Sequence, residues 1–145
     1  MIQRPALDEW FAQRPKRISP LAGLLQTVMK SKSILDLPPD WDDAGSPQIQ
    51  RETWTRAVVF LLFHAAILWT RSEAMMPNPR ILAGPDGSVD LHWKTRRREL
   101  LINVPSDPAQ TLAYYGDDYE SERRKGALEP GEINPDLFTW LTIID

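Results

Sequence analysis

Residues 57–69 are apolar at every position but His64. A run of that kind has to be hidden from water, and it falls short of the ~20 apolar residues that span a bilayer. It reads as the middle of a long helix over residues 51–71, apolar nearly all round and covered on several sides. His64 reads as a satisfied core group within that helix, not as a base or a metal ligand. The prolines at 77 and 79 end the helix.

A helix with so much apolar surface needs a sheet to lie on, and the pattern after residue 79 supplies one. Gly84-Pro85-Asp86-Gly87 is a turn with a strong Asp-Gly hairpin signal. Residues 88–94 alternate, with Val89, Leu91 and Trp93 on one face and Ser88, Asp90 and His92 on the other. Strands are expected at 80–83, 88–94, 99–104, 110–115 and 123–128, with Arg96, Arg97 and Arg98 at a turn. Asn134-Pro135-Asp136 opens a closing helix. The short connections specify an antiparallel meander. The expected fold class is α+β: a long buried helix packed on a four- to five-stranded antiparallel meander, a C-terminal helix, and an N-terminal helical and extended arm. The arm is residues 1–36 and the body 37–145.

The arm differs from the body in charge. Residues 1–32 carry a net +4, which leaves −7 for the rest of a chain whose total is −3. Such a split points to an acidic partner for the arm. Trp10 and Phe11 stand beside Arg14, Lys16 and Arg17, and a short helix is expected near residues 8–13. Ser19-Pro20 reads as a helix cap and first turn, starting a helix over 20–30 with Leu21, Leu24, Leu25 and Val28 in one stripe. The N-terminus shows no signal-peptide pattern. The chain contains no cysteine, which removes disulfides and thiolate chemistry and suits the cytoplasm. No membrane association is expected.

Between arm and helix lies Trp41-Asp42-Asp43-Ala44-Gly45-Ser46-Pro47, a turn in which the aspartates act as caps and Trp41 buries its ring. The pattern Trp41-Asp42-x-x-Gly45-Ser46-Pro47 resembles the W-D-G-x-G-A/S motif of a family of small bacterial proteins of unassigned function. In that family a helix follows, then a P-x-I strand and a D-G-x-V/I-x-L-x-W strand, matched here by Pro79-Arg80-Ile81 and Asp86 through Trp93. Tyr115-Gly116-Asp117-Asp118, Lys125-Gly126 and Trp140-Leu141 are similar to its later signatures. The resemblance runs from about residue 37 to the C-terminus. The chain departs from it at Asp43, where the family has glycine, and at His92, where it has an acid. The resemblance implies an accessory, antitoxin-like or defence-associated component and no agreed activity.

The remaining residues are read as non-catalytic. The pair Asp117 and Asp118 suggests a divalent metal, but a strand end and turn accounts for it. Asp90 and His92 lack the partners of a triad or a zinc site. No cofactor is expected. The expected function is a protein-interaction module that docks a larger partner (a toxin, effector or assembly subunit) through Trp10, Phe11, Arg14, Lys16, Arg17, Leu21, Leu24 and Leu25. The alternative is a nucleic-acid-binding accessory protein. It would use the basic arm together with Lys94, Arg96, Arg97 and Arg98, a basic hairpin tip able to touch phosphate or an acidic protein surface.

Overall fold

A computed structural model describes residues 21–143. Trp10, Phe11, Arg14, Lys16 and Arg17, the helix expected near 8–13 and the Ser19-Pro20 cap lie outside the described residues. The architecture is α+β, as the sequence pattern implies. Helix α1 spans Ala22–Ser31 and runs on into a 3-10 turn, Lys32–Asp36. Helix α2 spans Arg51–Ser72. Five strands follow, β1 (Arg80–Ala83), β2 (Val89–Lys94), β3 (Glu99–Val104), β4 (Leu112–Asp117) and β5 (Arg123–Leu128), and helix α3 (Asp136–Thr142) closes the chain. The strands form one sheet in the order β1-β2-β3-β4-β5, each pair antiparallel.

Helix α2 contains no glycine or proline. Glu52 in its first turn and Arg71 in its last suit the helix dipole. It stops at Glu73, which adopts the left-handed conformation (φ 54°) and donates its amide to the Trp69 carbonyl. Thr53, Ala57, Leu61, His64, Ala65 and Leu68 are buried along it. They meet the inner face of the sheet, where Val89, Leu91, Trp93, Leu100 and Ile102 are fully buried. The period-2 alternation of β2 thus places its apolar set on the helix side. The cover on α2 is one-sided, however. Val59 and Phe63 are 58% and 50% exposed, so a stripe of the helix stays open among the described residues.

Helix α1 belongs to this core. Leu24 and Val28 are buried, Trp54 Nε1 donates to Ser31 Oγ at 2.9 Å, and the first turn sits against Asn78 at Gly23. Packing therefore continues through residues 21–36, which the sequence had grouped with the arm. Leu24 is not available as a docking residue for the same reason. The sequence shows an apolar stripe but not what covers it.

Three local expectations shift. Strand β4 starts at Leu112 rather than 110, because Gln110 N–H bonds the Asp107 carbonyl and Ala109 N–H bonds Asp107 Oδ1, which holds 107–110 in a turn. Strand β2 starts at Val89 rather than 88, with Ser88 Oγ donating to the Pro85 carbonyl in the preceding turn. Asp42 caps its own turn, not α2, whose N-cap position is Gln50.

Helix α3 lies on the same side as α2. The Phe138 ring meets Trp93 edge-on at 5.2 Å and lies 5.1 Å from the His64 ring. Trp140 covers Gly116 of β4 so closely that a β-carbon there would sit 2.9 Å from the indole ring. Gly116 is thus fixed by a close approach. Overpacking of this kind costs about 1–3 kcal/mol, so Gly116→Ala is expected to lower the unfolding free energy by that amount, read as a lower urea midpoint with an unchanged m-value.

Candidate functional site

Three groups of side chains stand out, and in the first two the aspartates are engaged by backbone amides. The first is the Trp41–Pro47 turn. Asp42 Oδ1 accepts the amides of Ala44 (3.1 Å) and Ser46 (3.2 Å), and Asp42 Oδ2 accepts the Ser46 hydroxyl at 2.6 Å. Asp40 Oδ1 accepts the Gly45 amide at 2.7 Å. Gly45 holds φ 81°, a conformation that glycine adopts without strain. Ser46 Oγ in turn accepts the Asp86 amide at 3.3 Å, and Pro47 packs at Gly87. The turn is thus a latch onto the β1–β2 connection, where Asp86 and Gly87 both take positive φ. Arg56 closes the same corner by donating to the carbonyls of Pro105 (2.7 Å) and Ser106 (3.1 Å). The Ser46 hydroxyl is the first cause that holds the Asp42 carboxyl below the ordinary range. Trp41 is half-buried, with its Nε1 shielded and without a hydrogen-bond partner among the described residues.

The second group is the hairpin tip and the turn beside it. Asp118 Oδ1 accepts the amides of Glu120, Ser121 and Glu122 at 3.0, 3.0 and 2.8 Å. Those backbone donors, Glu120 first, lower its pKa. Asp117 accepts the Tyr119 amide and the Tyr115 hydroxyl and lies 3.8 Å from Arg123. Both carboxylates are occupied with the β4–β5 turn. Lys94, Arg96 and Arg97 are exposed, and Asp118 and Glu120 share a surface depression with Arg96 and Arg97. Arg98 departs from the expected basic tip. It is 7% exposed, its Nη1 donates to the Ile143 carbonyl at 2.8 Å, and its guanidinium lies 5.5 Å from the Trp140 ring. Arg124 approaches the same ring at 5.0 Å. Trp140, far along the chain, turns Arg98 inward, so Arg98 is not a surface contact.

On the outer face of the sheet, His92 Nε2 lies 2.6 Å from Glu99 Oε1, and the Tyr119 hydroxyl donates to Glu99 Oε2 at 3.3 Å. Asp90 is engaged separately, as the acceptor for Asn103 Nδ2 at 2.7 Å. His92 and Asp90, paired by sequence spacing, thus have different partners. Among the described residues no three His, Asp or Glu side chains are grouped to hold a metal.

The third group is apolar. Val59, Phe60 and Phe63 of α2 form one wall of an open groove of about 380 Å³, and Val104, Leu112 and Ile133 lie opposite. Ile133 is 48% exposed. Sequence reasoning missed this groove. Its signal was the uncharged run itself, with more apolar positions than one sheet face can cover. Helix α2, at 22 residues, is also long and apolar enough by length and composition to cross a membrane, yet its buried side packs on the sheet.

His64 sits at the base of the groove and is fully satisfied. Its Nδ1 donates to the Phe60 carbonyl at 2.8 Å, which fixes Nε2 as acceptor of the Asn134 amide at 3.1 Å. Burial lowers its pKa below the ordinary 6.5. The sequence is matched by no known family model, and neither characterised proteins nor solved structures give a significant match to this chain.

Because the folded His64 resists protonation and the unfolded one does not, its contribution is present above the ordinary histidine pKa and is lost as pH falls below it. The difference in unfolding free energy between wild type and His64→Gln is expected to narrow below about pH 6.5. The slope is at most about 1.4 kcal/mol per pH unit, read from denaturant curves at stepped pH. Asp118→Ala is expected to speed amide exchange at Glu120, Ser121 and Glu122, with magnesium leaving the wild-type melting temperature unchanged.

Proposed function

We propose that this chain is a non-catalytic protein-interaction module, an accessory or antitoxin-like subunit. It docks a larger partner (a toxin, effector or assembly subunit) through its N-terminal arm and the outer face of α1. One observation carries the reading. Leu25 and Met29, one helical turn apart, are 48% and 67% exposed, while Leu24 and Val28 on the same helix are buried. An amphipathic helix normally turns polar residues outward. Helix α1 instead shows apolar side chains on both sides, with exposed Lys30 and Lys32 beside the outer pair. Methionine and leucine in such a position make an adaptable docking face. Leu21, half-buried, begins the helix, and in the sequence the aromatic and basic residues Trp10, Phe11, Arg14, Lys16 and Arg17 precede it.

The polar groups support the same reading. Asp42, Asp117, Asp118 and His64 each hold backbone or neighbouring side chains in place, and these contacts occupy the groups that chemistry would use. The exposed cations at Arg96 and Arg97 stand next to Asp118 and Glu120, a mixed surface that favours a protein over a bare phosphate backbone.

The test is recovery of the partner from native-host extract by the tagged full chain, quantified by mass spectrometry. The double variant Leu25→Asp/Met29→Asp, altered only at exposed positions, is expected to keep the wild-type melting temperature and to lose the partner at least about tenfold, as buried hot-spot truncations do. Equal recovery with the folded variant would remove α1 from the interface. Nucleic acid co-purifying in place of protein would favour the basic-arm alternative.

A further inference from the structure

We infer that the groove on α2 is the docking site of this chain's own residues 7–17, with Leu7, Trp10 and Phe11 against Val59, Phe63 and Ile133. The inference concerns the isolated protein; a partner that takes the arm would have to draw Trp10 and Phe11 out of the groove.

The groove's chemistry defines its occupant. The walls are apolar, and Arg56, the cation beside them, spends its guanidinium on two backbone carbonyls. Glu132 lines the groove, while Asp107 and Glu129 each adjoin a lining proline, Pro108 and Pro130. All three acids are exposed, and none is in an ion pair among the described residues. An apolar floor with an acidic rim fits a segment that is aromatic and then basic. Residues 7–17 read Leu-Asp-Glu-Trp-Phe-Ala-Gln-Arg-Pro-Lys-Arg. Leu7, Trp10 and Phe11 are at the i, i+3, i+4 spacing that shares one helix face, and Arg14, Lys16 and Arg17 follow.

The path is also short enough. The first turn of α1 sits beside Asn78, next to β1, and its last residue meets Trp54 near the start of α2. Helix α1 therefore runs antiparallel to α2, and Leu21 lies toward the C-terminal half of α2. From there to Val59 the chain has to step across one helix spacing, about 10 Å. It then runs back along roughly 17 Å of helix, at about 1.5 Å per residue. The chain from Trp10 to Leu21 reaches about 36 Å when extended. Along that route α2 presents Phe63, Ala66 and Thr70, all exposed, and no charge occurs between Arg56 and Arg71.

The absence of native cysteine allows a direct test on the full-length chain. A benzophenone is attached through a Thr55→Cys substitution, at an exposed position lining the groove, then irradiated, and the cross-linked peptide is mapped by mass spectrometry. The expected product has the mass of a single chain and joins position 55 to residues 7–17. Pro108→Cys on the opposite wall is expected to give the same product, and Trp10→Ala/Phe11→Ala to lose it while the melting temperature of the body is kept. A product of two-chain mass would assign the groove to a second copy and overturn the inference. A single-chain product that omits residues 7–17, or no product from either position, would also overturn it.

Discussion

The Phe138 ring holds the two layers together. It touches Trp93 of the sheet and lies near His64 and Phe60 of α2, so a seven-residue helix with few hydrogen bonds of its own fixes how the longest helix sits on the central strands. Short helices have little intrinsic stability in water, and α3 exists because Leu137, Phe138, Trp140 and Leu141 are all buried. Truncating aromatics in such positions costs about 3–5 kcal/mol, a large part of what a domain of this size has to lose. Trp93 adds a tether of its own, with Nε1 donating to the Pro77 carbonyl at 2.9 Å. That bond ties the segment leaving α2 to the middle of the sheet.

The second dependency is the corner where three turns meet. Asp42 organises one turn, Ser46 carries that order to Asp86, and Ser106 Oγ donates to the Asp86 carbonyl at 3.3 Å. The residues of the Trp41–Pro47 motif are therefore an assembly device. They register the segment before α2 against the β1–β2 and β3–β4 connections. The outer side of α1 and the open side of α2, where Leu25, Met29, Val59 and Phe63 are exposed, carry no such motif.

Much of the fold was legible because its signals are local. Val89, Leu91 and Trp93 alternate, Asp86-Gly87 marks a turn, and the uncharged run marks a helix, so the α+β meander followed from short windows of sequence. What escaped was set by distant partners. Arg98 reads as one of three exposed arginines until Trp140 draws it inward. Leu24 and Leu25 are adjacent leucines, and only the packing of α1 separates core from surface. Asp118, by contrast, sits at the strand end and turn that the sequence indicates, since its three amide donors lie within four residues. The uncharged run signalled surplus apolar surface but not the groove it would form, since the two walls lie far apart in the chain, at Val59 on one side and at Leu112 and Ile133 on the other.

The strand order has a kinetic meaning. Every neighbour in the sheet is also a neighbour in sequence, and each pairing closes a short connection, so the entropy cost of assembling the sheet is incurred in small steps. The sheet can zip hairpin by hairpin from β1 as the chain emerges. Helix α2 precedes it and is covered on one side by the inner face of that sheet, and the Phe138 ring reaches it only with the last helix. A chain cut short before residues 136–142 would lack the Phe138 ring that lies between α2 and the sheet.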